Sequence, residues 1–175
     1  MARRHWMVGV AAAAAAVVVA GCDTDGNAAV DAALPRGESL GELRQQAREA
    51  LARYDQAVTD AGDAGTVTLS PPPWNSPPGI AIESVTGTRA ATQLTATFTG
   101  ARGPATERCG ADYHAEPVES VNAVVVIVIA QYHDTAEVCS MAGYSRTATL
   151  NLAQPLSERV VLDVRQGQPV PLTSG

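Results

Sequence analysis

Residues 123–130 read AVVVIVIA, eight apolar positions in a row of which six are β-branched. A branched Cβ locks χ1 against the preceding helical turn but packs well on a pleated surface, so the run favours a strand. It is also too short to cross a bilayer, which takes ~20 apolar residues. Continuous rather than alternating apolarity predicts a central strand covered on both faces.

Outward from this run the period is two. Leu94, Ala96 and Phe98 alternate with Thr95, Thr97 and Thr99, and Ala148, Leu150 and Leu152 alternate with Thr147, Thr149 and Asn151. Such segments read as strands with one buried and one wet face. Val160, Leu162 and Val164 repeat the pattern around Asp163, and Ile80-Ala81-Ile82 opens a strand ending near Gly87. A strand from Asp112 through Val118 reaches the central run through a turn at Glu119–Asn122, and Thr66–Leu69 adds a short one. About seven strands at this spacing predict a mainly β protein, an antiparallel Ig-like β-sandwich preceded by one amphipathic helix. The alternative is an α+β fold, a curved antiparallel sheet packed on that helix.

The helix is expected over residues 38–61. Ser39 and Glu42 have capping-box spacing, and Gly62 is a plausible stop. Leu40, Leu43, Ala47, Leu51, Tyr54 and Val58 form one stripe, while Arg44, Arg48, Glu49, Arg53 and Asp55 cover the rest. The stripe can pack on the β domain, stand off as a stalk, or dock a partner helix, with Arg48 as a candidate partner contact. Residues 62–79 contain LSPPPWNSPP and read as a Pro-rich linker, because proline lacks the amide donor and fixes φ. Trp74 within it covers an open end of the core or contacts a glycan or peptide. The disulfide-bearing β domain is expected over 80–175.

At the start of the chain, Arg3 and Arg4 precede an uncharged Val/Ala/Gly run from Val8 to Ala20, the layout of an export signal. Asp23 and Asp25 follow too soon for a membrane-spanning helix. The run ends in Val19-Ala20-Gly21-Cys22, which resembles a bacterial lipobox. The resemblance implies removal of residues 1–21, a diacylglyceryl group on the Cys22 thiol as the one covalent attachment, and a protein held on the outer face of the cell membrane. Two acyl chains suffice for stable anchoring. Residues 22–37, small and acidic with Gly26, Pro35 and Gly37, then serve as a flexible tether.

With Cys22 lipidated, Cys109 and Cys139 remain in an oxidising compartment, where a disulfide is the expected state. Closing a loop of ~30 residues would contribute roughly 3.7 kcal/mol on the chain-entropy view. The chain has formal charge −6, becoming −8 once Arg3 and Arg4 leave with the leader. Such a surface repels nucleic acid and anionic headgroups. All 12 basic residues are arginine, which points to a GC-rich coding sequence more than to a physical need.

No constellation for chemistry stands out. Cys109, His114, His133 and Cys139 can be drawn as four zinc ligands, but their spacing misses the usual knuckle and a disulfide uses both thiols. No serine lies in a Gly-x-Ser-x-Gly elbow, and neither His133-Asp134 nor Ser140 belongs to a recognisable triad. Glu83, Asp112, Glu116 and Glu119 are dispersed, with no glycosidase pair distinguishable. No catalytic residue, metal ligand or cofactor site is therefore assigned.

The segments Cys109-Gly110-Ala111-Asp112-Tyr113, Glu119-Ser120, Cys139, Arg146-Thr147-Ala148-Thr149, Pro155-Leu156 and Val161-Leu162-Asp163-Val164-Arg165, with Gly167 and Pro169-Val170-Pro171, together resemble small uncharacterised lipoproteins of high-GC Gram-positive bacteria. That resemblance supports the anchor and disulfide and implies no activity. The expected role is a non-enzymatic module that binds an envelope protein or wall component. The alternative is a small-molecule receptor or hydrolase for wall-derived ligands, using a pocket lined by Trp74 and acidic loops.

Overall fold

The computed structural model describes residues 40–62, 67–69, 78–132, 139 and 142–174. Among the described residues one helix, α1 (Leu40–Ala61), precedes seven strands: β1 (Ile82–Thr86), β2 (Gln93–Gly100), β3 (Ala111–Glu119), β4 (Ala123–Tyr132), β5 (Tyr144–Asn151), β6 (Val160–Asp163) and β7 (Leu172–Thr173). They form a four-stranded sheet ordered β5-β2-β1-β7 and a three-stranded sheet ordered β3-β4-β6. The protein is mainly β, a sandwich preceded by a helix.

β4 explains the architecture. Its side chains alternate between two cores. Val124, Val126 and Val128 face the other sheet, among Val85, Leu94, Phe98, Leu150 and Leu156. Ala123, Val125, Ile127 and Ile129 face α1, among Leu40, Leu43, Ala47, Leu51, Leu162 and Val164. A strand between two apolar layers has no wet face, so every residue from Ala123 to Ala130 is buried. The layers therefore run sheet, sheet, helix. The expected stripe from Leu40 through Tyr54 is buried, Val58 is partly so, and the helix ends at Gly62 with φ 50°, a conformation open to glycine. The stalk reading of the helix is thus excluded.

Three expectations need correction. The sheets are mixed, not wholly antiparallel: β1 pairs β7 and β4 pairs β6 in parallel. The chain leaves one sheet after β4, forms β5 in the other, and returns at β6 running alongside β4. Strand order also departs from the immunoglobulin arrangement, which places strands one, two, four and five in one sheet. Of the strand expected at Thr66–Leu69, the described residues 67–69 are not in a strand, and Thr66 lies outside the described residues. Val67 and Leu69 instead lean on the helix–sheet core, and the seventh strand is β7. Finally, Asp163 does not lie on a wet face. It is 7% exposed, because β6 is covered on both sides, and its Oδ1 accepts from the Gln166 amide at 2.9 Å. Ser39 of the capping box lies outside the described residues.

Polar bonds fix how α1 sits. The Arg44 guanidinium grips the Glu116 carboxylate of β3 through Nε and Nη2, at 2.7 and 2.8 Å. Both groups keep some solvent contact, so the pair contributes below about 1 kcal/mol and sets orientation more than stability. Gln46 matters more. It is 8% exposed on the apolar stripe, and its Nε2 donates to the Val164 carbonyl at 2.6 Å. Gln46→Leu would leave that carbonyl buried without its donor, and the expected loss is about 1–3 kcal/mol. Denaturant unfolding measures it; a neutral result would show that water reaches the carbonyl.

Candidate functional site

The opposite face of the four-stranded sheet is wet, with Thr95, Thr97, Thr147 and Thr149 in register across β2 and β5. It offers hydroxyls and methyls. A concave feature lies where the C-terminal half of α1, the β3–β4 turn and the β5–β6 loop converge.

That loop, residues 152–159, is held from within. Leu156 is fully buried in the sheet–sheet core, and its amide donates to Ala91 O at 3.0 Å. The Ser157 amide donates to Arg89 O, and Arg89 Nη1 donates back to the carbonyls of Ser157 and Arg159. Ser157 takes φ 51°, a left-handed conformation that these bonds over-determine. Arg159 completes the frame. Its Nη1 pairs with Glu119 Oε2 at 2.5 Å, Nη2 donates to the Gln154 and Pro155 carbonyls, and Nε reaches Leu156 O.

The turn is tied to the helix. Asp55 Oδ1 accepts from Ser120 Oγ at 3.1 Å and Asn122 Nδ2 at 3.0 Å. Between turn, helix and loop lies an open groove of about 430 Å³, lined by Tyr54, Val58, Val121, Asn122, Gln154, Pro155, Ser157, Glu158 and Arg159. Burial, and then the neighbouring Asp55 charge, push the Tyr54 phenol above its ordinary value. It stays a neutral hydroxyl at physiological pH. Val121 stands 85% exposed at the rim, the most exposed of the described large apolar side chains. An aliphatic rim, polar side chains and a rigid frame suit reversible binding.

The residues singled out in the sequence fall elsewhere or beyond the described region. Cys109 and Cys139 form a disulfide, with Cα atoms 5.6 Å apart, joining the β2–β3 loop to the segment after β4. Gly110 beside it could carry no side chain, since a Cβ would fall on the Pro104 carbonyl. Arg48 is exposed on α1, where its guanidinium donates to Gln45 Oε1 of the same helix. Cys22, Trp74, His133, Asp134 and Ser140 lie outside the described residues, as does any pocket built on Trp74.

The four carboxylates do not converge. Glu83 accepts from Thr99 Oγ1, Asp112 from the Ala105 amide, Glu116 pairs with Arg44 and Glu119 with Arg159. Among the described residues no three His, Cys, Asp or Glu side chains gather where a metal ion would fit, and no helix is long and apolar enough to cross a membrane. The groove itself escaped sequence reasoning. One signal was present: Val121, an aliphatic residue inside a turn that turn chemistry would make polar.

Fold and groove together define a disulfide-linked β-sandwich with a helical outer layer and a small surface concavity. No family model matches the chain, and no curated protein and no solved structure matches it either.

Proposed function

We propose that this chain is a lipoprotein, anchored through Cys22 to the outer face of the cell membrane, that serves as a binding module of the envelope rather than as an enzyme. The observation that carries the address is Val19-Ala20-Gly21-Cys22, following a basic start and a short apolar run. The Cys109–Cys139 bond supports it independently, since disulfides persist mainly in oxidising compartments. Binding is supported by the groove and by the structural commitment of the candidate carboxylates. The tether over residues 22–37 would give the domain reach above the membrane surface.

Cys22→Ser separates anchor from domain. The variant is expected to move from the membrane fraction to the soluble fraction and to lose the mass of a diacylglyceryl group. A parent chain carrying no diacylglyceryl mass on Cys22 would rule out the anchor. Photocrosslinking in the native envelope, with probes at Val121 and Arg48, tests the binding role. A discrete protein adduct is expected from the groove position; no specific adduct at either position would remove the support for a protein-docking module.

A further inference from the structure

We propose that the groove between α1 and the 152–159 loop docks a basic, aliphatic segment of another polypeptide, an inference that rests on the binding-module reading and names its partner class. The first argument is charge. Among the described residues Arg159 is the one cation in the lining, and its guanidinium is paired with Glu119 and donates to three loop carbonyls. Arg89 donates to the Ser157 and Arg159 carbonyls from outside the lining, and the other charges at the groove are carboxylates. Glu158 is exposed at the mouth, and Asp55 commits only Oδ1 to the turn. The Asp55 field is felt inside the groove, where it adds to burial in raising the Tyr54 phenol. A lysine or arginine head set here would meet carboxylates, whereas an acidic segment would be repelled.

The second argument is shape and apolarity. Val121, Val58, Pro155 and the Tyr54 ring offer apolar surface on three sides. An isolated cation would not cover them. A volume of about 430 Å³ lies at the low end of the range for ligand sites and accommodates a few side chains rather than a folded domain. Val121, 85% exposed at the rim, extends the apolar contact beyond the groove itself. A chain passing across the opening would cover it, which a small amine inside the groove would not. Because Arg159 and Leu156 hold the loop rigid, little ordering is required of this side on binding.

The test uses the full lipidated chain in phosphatidylcholine nanodiscs, with empty nanodiscs as the blank. The probes are a fluorescein-labelled pentapeptide alternating leucine and lysine and its leucine–glutamate counterpart, followed by fluorescence anisotropy. Saturable binding of the lysine peptide alone is expected, weakening as salt rises. Glu158→Gln and Val121→Ser should each raise its Kd at least about threefold. Both residues are exposed, so neither change threatens the fold. The proposal is overturned by equal or stronger binding of the glutamate peptide, by no saturable binding up to about 1 mM, or by variants that bind as the parent does. Displacement of the lysine peptide by equimolar 1,5-diaminopentane would also overturn it, marking an amine site instead. If it fails while the Val121 probe still captures one envelope protein, the binding-module reading stands with a partner of different chemistry.

Discussion

Phe98→Ala is expected to lower the unfolding free energy by about 3–5 kcal/mol, the range for removing a fully enclosed aromatic ring. Phe98 has no exposed surface and lies between the sheets, with its ring edge-on to Tyr113 at 4.8 Å between centroids. The protein has one phenylalanine, so no second ring of that kind can move in to fill the gap. Its neighbours across the core are β-branched valines of β4, which have few rotamers with which to collapse into a cavity. Urea unfolding of the variant beside Thr97→Ala, one residue along on the wet face, gives the contrast. Thr97→Ala should stay within about 0.5 kcal/mol of the parent, while the Phe98 midpoint falls by about 2 M. Equal, small shifts would mean that the sheets do not close on Phe98.

Loss of the disulfide is the second large effect. Cys109 and Cys139 are separated by 30 positions. Replacing both with alanine releases a loop whose closure entropy is worth about 3.7 kcal/mol, within the 2–5 kcal/mol commonly lost with a native bond in a small secreted domain. Total stabilities of about 5–15 kcal/mol make that a large share. The bond also has local consequences: Cys109 sits at φ 58° beside Gly110, in a loop closed by bonds from Glu107 to Pro104 and from Ala111 to Gly103. Guanidinium unfolding of the double-alanine variant, and of the parent with and without reductant, should show equal downward shifts. If reduction leaves the midpoint unchanged, the loop is held by its turns alone.

Much of the fold was legible because burial has a period. The alternation at Leu94–Phe98 and Ala148–Leu152 survives unaltered in β2 and β5, and the stripe from Leu40 to Tyr54 is the buried face of α1. Val67 and Leu69 misled because they are apolar for the helix–sheet core and, among the described residues, belong to no strand. Asp163 misled because an acid amid alternating apolar residues reads as solvent-facing, whereas its carboxylate here accepts the Gln166 amide in the β6–β7 connection. The disulfide between Cys109 and Cys139 was readable as the expected state of two cysteines if the chain is exported. The groove was not, since its lining comes from three segments between Tyr54 and Arg159, each unremarkable alone.

By itself, then, the sequence determined the elements: a β-branched run that tolerates no wet face, strands of period two and a helix of period near 3.6, with Cys109 and Cys139 placed on either side of the central run. Periodicity is a local property, carried by the side chains of each segment. Which layer covers which face is a property of the packed whole. Only the tertiary structure decided that Ala123, Val125, Ile127 and Ile129 meet the helix while Val124, Val126 and Val128 meet the second sheet. The same is true of the parallel pairings, which depend on where the chain crosses between sheets. The groove follows from that packing, because seating α1 on β4 places Tyr54 and Asp55 beside the turn and the Arg159 loop.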